Sequence, residues 1–110
     1  MATPEEFQAL DLRVGTVVTA EPFREARKPS LRLAIDFGAE LGVRRSSAQL
    51  TKRYRPEDLV GRQVVAAVNL GTRRIAGFES QVLVLGAMPD PTDVVLLLPD
   101  SPVANGTKIG

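Results

Sequence analysis

Leu31-Arg32-Leu33-Ala34-Ile35-Asp36-Phe37 alternates without a break between large apolar side chains and Arg, Ala or Asp. A period of two is the signature of an extended strand whose alternate side chains enter a core while the others meet a wetter face. Phe37 closes the apolar set and is expected in that core. Upstream, Pro22 to Pro29 (Pro-Phe-Arg-Glu-Ala-Arg-Lys-Pro) is a proline-bounded basic loop that cannot be an internal strand. Before it, Leu12, Val14, Thr16, Val18 and Ala20 share one face of a first strand running to about Glu21. The chain opens with a short helix from about Pro4 to Leu10. Thr3 supplies the capping hydroxyl there, Pro4 the first helical position and Glu6 the reciprocal carboxylate.

Downstream, Gly38 to Gly42 is short enough to turn a hairpin into a third strand, Val43 to Leu50. Thr51 to Leu59 reads as a helical turn restarted at Pro56 and ended by Gly61. Gln63 to Leu70, Gln81 to Met88 and Asp93 to Pro99 are Val- and Leu-rich segments bounded by Gly, Pro and Asp, and they complete the strand set. Ser101 to Gly110 reads as turn and edge, with Asn105-Gly106 as a tight turn. Strands dominate, and one helical insertion follows the third of them. That order predicts an all-β fold, a five-stranded barrel of the OB type. An SH3-like barrel is the alternative, but it does not ordinarily place a helical turn there.

The 110 residues, 44% of them hydrophobic, suit one domain over residues 1–110 with no internal repeat or linker. Neither cysteine nor histidine occurs, which excludes disulfides, thiolate zinc sites, cysteine nucleophiles and Ser-His-Asp arrangements. No metal or other cofactor is expected. The acidic N-terminal residues do not resemble a secretory signal, and the longest apolar run, Val94 to Leu98, is far below the ~20 residues of a membrane helix. The expected location is the cytoplasm.

The near-neutral formal charge of +1 conceals an asymmetry. Residues 24–74 hold twelve basic side chains against Glu25, Asp36, Glu40, Glu57 and Asp58, a net +7, while each flank carries −3. A basic half spanning barrel loops can follow a phosphate backbone or attract acidic polypeptide; a merely solvated arginine-rich surface is the plain alternative. Among the aromatics, Phe37 is assigned to the core and Phe7 to the helix, leaving Phe23, Tyr54 and Phe78 as possible stacking platforms. Catalytic designs find no support. Gly71 to Gly77 lacks the Gly-Lys-Ser/Thr ending of a phosphate loop. Glu57 and Asp58 point apart as helix neighbours, and Ser46 and Ser47 have no histidine to activate them. No enzyme activity is expected.

Three stretches together carry a family resemblance: Leu10-Asp11-Leu12-Arg13-Val14-Gly15-Thr16-Val17-Val18; Ser46-Ser47-Ala48-Gln49-Leu50-Thr51-Lys52-Arg53-Tyr54; and Val68-Asn69-Leu70 with Arg73-Arg74-Ile75-Ala76-Gly77-Phe78-Glu79-Ser80. The chain resembles the tRNA-binding-domain family of OB folds, and within it the CsaA-type export-related chaperones. The resemblance extends to the closing Pro102 to Gly110 segment. It implies a cytoplasmic homodimer similar to the domains appended to methionyl- and phenylalanyl-tRNA synthetases, with unfolded or preprotein polypeptide and tRNA as partners. One departure stands out: Ser80-Gln81 is followed by Val82-Leu83 where related tRNA-binding domains carry Gly-Met. Two assignments follow from the resemblance and the charge map. As a structured-RNA binder, Lys52, Arg53, Arg73 and Arg74 would hold phosphates while Ser47, Gln49, Asn69 and Ser80 make local hydrogen bonds. As a chaperone, Phe23, Ile75 and Phe78 would wall an apolar cleft rimmed by arginines.

Overall fold

The computed structural model describes residues 1–110. Helix α1 (Pro4–Ala9) begins with the expected reciprocal cap: Thr3 Oγ1 accepts from the Glu6 amide at 3.1 Å, and Glu6 Oε1 accepts from the Thr3 amide at 3.0 Å. Strands β1 (Leu12–Pro22), β2 (Leu31–Asp36), β3 (Val43–Ala48), β4 (Gln63–Ala67) and β7 (Leu83–Val84) form one sheet in the order β3-β2-β1-β4-β7, every pairing antiparallel. The sheet curls into a nearly closed five-stranded barrel, and the helical turn α3 (Pro56–Leu59) follows its third strand. This is the OB-type all-β architecture expected from the strand order. Two hairpins project from it, β5 (Arg73–Ile75) with β6 (Phe78–Ser80), and β8 (Gly86–Asp90) with β9 (Asp93–Leu96).

The opening alternation holds residue for residue. Leu31, Leu33 and Ile35 are buried, their neighbours are half-buried, and Phe37 is 1% exposed at the centre of the core with Val17, Leu50, Leu59 and Val64. Burying such large side chains supplies roughly 1.5–3 kcal/mol each and accounts for the tightness of this layer.

In β1 the five residues do not share one face throughout. Leu12 and Val14 pair with Ala67 and Val65 on the outer side of the sheet, whereas Gly15 and Val17 face the core opposite Val64 and Ile35, which leaves Val18 47% exposed on the outer side. The pairing with β2 shifts between Val17 and Thr19, and this bulge brings Ala20 onto the core face, out of step with Val18. Pairing around β1 also changes along its length. Its first half lies between β4 and the C-terminal tail, where Val14 exchanges hydrogen bonds with Thr107 and Gly106 and Arg13 bridges to Lys108. Its second half pairs with β2.

Three other expectations need correction. Gly38 to Gly42 is not a simple turn but a helical turn, α2 (Gly38–Leu41). The third and fourth strands end before Leu50 and Leu70, at Ala48 and Ala67. The segment from Gln81 to Met88 is divided into β7 and β8, because Leu85 donates to Val65 on the barrel and accepts from Leu97 on the hairpin. The β5–β6 hairpin occupies residues 73–80, between two of the predicted strands. Its two-residue turn, Ala76-Gly77, has positive φ at both positions (47° and 81°), the geometry that matches the twist of paired strands.

A basic-rimmed groove at the barrel seam

Where the sheet fails to close, between the end of β3 and β7, lies an open groove with a volume of about 660 Å³. The 22–30 loop contributes Arg27, Lys28 and Ser30 to its lining; the end of β3 and the residues after it contribute Ser47, Gln49 and Leu50. Arg73, Ile75 and Ala76 come from the β5–β6 hairpin, and Leu83, Val84, Met88 and Val94 from the seam and the β8–β9 hairpin. The groove thus joins an apolar floor to a cationic rim, with Glu25 the one carboxylate among its lining residues.

The ion pairs sort the basic side chains. Arg53 makes a bidentate pair with Asp93, Lys52 approaches Asp90 at 3.5 Å, and Arg74 approaches Glu79 at 3.0 Å. Arg13 is held by Asp11 and Glu40, Arg32 by Glu21, and Arg55 by its neighbours Glu57 and Asp58. Arg27, Lys28 and Arg73 have no carboxylate partner, and all three line the groove. Hydrogen bonding to Asp93 raises the Arg53 pKa, and the same bond holds the Asp93 carboxyl below its ordinary range. Asp90 is lowered mainly by the backbone and hydroxyl of Thr92.

Of the residues singled out from sequence, Ser47, Gln49, Arg73 and Ile75 meet in the groove. Ser80 stands behind it, its Oγ accepting from the Ser47 amide at 3.0 Å. Asn69 is elsewhere: its Oδ1 accepts from the Asp11 amide and its Nδ2 donates to the Ala9 carbonyl, both at 2.8 Å, which ties the end of α1 to the strand it precedes. Phe23 offers no platform, because it is 3% exposed and packed beneath Phe78 at 5.3 Å between ring centroids. Phe78 lies outside the groove beside a smaller depression of about 130 Å³. Arg45 stacks 5.0 Å from its centroid, and Arg32 lies 5.9 Å from it and 5.4 Å from Phe23. Tyr54 is half-buried, its hydroxyl accepting from the Leu96 amide and its ring facing Arg62.

Among the lining residues not singled out are Arg27 and Lys28, together with Leu83, Val84, Met88 and Val94. The proline-bounded basic loop was the available signal for the first two. Nothing local marks the other four as facing an opening, since buried strands have the same composition.

A five-stranded OB-type barrel with an open, basic-rimmed groove has the form of a binding module. A family model described as "Putative tRNA binding domain" matches residues 12–108, and the chain belongs to that family, a binding rather than a catalytic domain. It is similar to the crystal structure of the chaperone CsaA from Bacillus anthracis str. Ames, with 61% identity and a TM-score of 0.95 over 100% of this chain and 99% of the other. It is also similar to the CsaA chaperone protein from Picrophilus torridus, with 40% identity and a TM-score of 0.92 over 100% of both chains. Methionine--tRNA ligase of Methanothrix thermoacetophila is 46% identical over 105 residues, which are 96% of this chain and 15% of the ligase. The chain therefore spans about a sixth of the length of the curated relatives it matches.

Proposed function

We propose that the protein is a CsaA-type, export-related chaperone that holds unfolded preprotein segments in the seam groove and also binds tRNA. In this reading residues 1–110 act as one domain, the working form is a cytoplasmic homodimer, and there is no enzymatic activity. The carrying observation is that the three groove cations without a carboxylate partner, Arg27, Lys28 and Arg73, border the apolar side chains of Ile75, Leu83 and Met88. Unfolded polypeptide presents apolar side chains and charge together, and such a surface engages both weakly without demanding a sequence. The likeness to two CsaA chaperone structures supports the polypeptide half, and the family match supports the RNA half. No helix is long and apolar enough to cross a membrane.

The second reading is a structured-RNA binder acting in trans without a chaperone role, favoured by the family itself and by the net +7 of residues 24–74. Paired substitutions separate the two. Ile75→Ser with Leu83→Ser, checked first by thermal melting, should abolish most suppression of aggregation of a denatured client while changing tRNA affinity less than about threefold. Lys28→Ala with Arg73→Ala should weaken tRNA binding and flatten its log-log salt dependence by about 0.7 to 0.9 for each phosphate left without its cation. Collapse of tRNA binding in the serine pair, with client protection intact, gives precedence to the second reading.

A further inference from the structure

Arg13, Arg32, Lys52, Arg53, Arg55 and Arg74 each meet a carboxylate of this chain, whereas Arg27, Lys28 and Arg73 line the groove without one. Glu25 is the single acidic side chain in that lining, so the groove sets three cations against one carboxylate. The two elements that carry these cations are fastened to the barrel and to one another. The 22–30 loop is closed by the Phe23 amide, which donates to the Ser30 carbonyl at 3.0 Å, and by Ser30 Oγ, which donates to the Lys28 carbonyl at 2.9 Å. Arg73 stands opposite Ser80 in the β5–β6 register, and Ser80 Oγ accepts from the Ser47 amide at 3.0 Å. Phe23 of the loop and Phe78 of the hairpin pack 5.3 Å apart between centroids, with the Arg32 guanidinium 5.4 and 5.9 Å from the two rings. The backbones that carry the rim cations are therefore held in place. The apolar lining is more adaptable. Leu83 is 50% and Met88 60% exposed, and an unbranched methionine reshapes itself around varied apolar side chains. Such a groove discriminates by charge more than by shape.

We infer that the groove selects polypeptide segments in which apolar residues are accompanied by aspartate or glutamate, and turns away segments rich in lysine or arginine. The inference rests on the polypeptide reading above and names its class of client. An acidic segment brings carboxylates to Arg27, Lys28 and Arg73, which have none within the chain. A basic segment adds like charge to a concave cationic rim, where apolar walls concentrate the field, and like charges brought together at an interface oppose binding. The selectivity has a consequence for export. A secretory signal begins with basic residues. A preprotein held here through an acidic, apolar part of its chain therefore keeps the start of its signal free.

The test uses the intact protein and a short synthetic peptide of valine, leucine and serine in three versions, with aspartate, serine or lysine at the same two positions. At low ionic strength the aspartate version should bind at least about tenfold more tightly than the lysine version, with the serine version between them. Concentrated salt should shrink that spread. Lys28→Gln with Arg73→Gln, checked by melting, should bring the three affinities within about threefold of one another. Lys108→Gln removes an exposed cation of the C-terminal tail that does not line the groove, and should leave the spread intact. If the three versions bind the parent protein alike, if the lysine version binds most tightly, or if Lys108→Gln narrows the spread as much as the rim pair does, the selectivity is overturned while the polypeptide reading stands. If no version binds, both are overturned, and loss of tRNA binding in the rim pair then assigns the groove to RNA.

Discussion

Ala76 adopts φ 47° at the first position of the β5–β6 turn, a left-handed conformation that costs an alanine roughly 1–2 kcal/mol and that asparagine tolerates. Ala76→Asn should therefore raise stability by about 1 kcal/mol, seen as a higher urea midpoint at unchanged slope. Gly15 is constrained by space instead. A Cβ there would lie 2.6 Å from Ile35 Cγ2 and 2.8 Å from the Phe37 ring, so Gly15→Ala should cost about 1–3 kcal/mol in the same measurement. The role of Phe37 is legible from its place in a two-residue period. That of Val18 is not, because alternation alone does not say which face of β1 meets the core, and the pairing of Val17 with Ile35 decides it. Phe23 misleads because it stands in a loop, yet Phe78, 55 residues further on, packs against it.

Among the elements, the β8–β9 hairpin is held to the barrel by polar contacts. The turn after β3 reaches it through Arg53 to Asp93, Lys52 to Asp90 and the Tyr54 hydroxyl to the Leu96 amide. Asp93 has a folded-state pKa below its ordinary value because Arg53 hydrogen-bonds the charged form. Its stabilising contribution is accordingly complete above the unfolded carboxylate value, about 3.9, and is lost as pH falls through the lower folded value. Asp93→Asn should lower the melting temperature at neutral pH, and the gap from the parent protein should narrow progressively below about pH 4. A constant gap across that range would assign the loss to packing. Sequence places Lys52 and Arg53 at an RNA surface because their acidic partners lie some forty residues away, beyond the reach of any local pattern.

For the whole molecule, the proposed dimer has a physical motive in the apolar side chains left uncovered, among them Phe7, Leu10, Leu97 and Leu98, the last 61% exposed. Light scattering at micromolar concentration should give twice the 11.9 kDa of one chain, and Leu98→Glu should shift it toward the single-chain mass. A single-chain mass for the parent protein would remove that motive. Sequence alone determined the barrel class, the helix cap, the core strand from Leu31 to Phe37 and the concentration of positive charge between residues 24 and 74, because periodicity, capping and composition are local quantities. Only the tertiary structure decided which cations remain without a carboxylate partner, that Phe78 lies outside the groove its hairpin partner Ile75 lines, and that Ser47 and Val84 border that groove. Those outcomes depend on pairings between segments far apart in the chain, and the physical state of a charge or a strand edge is set by what folding brings against it.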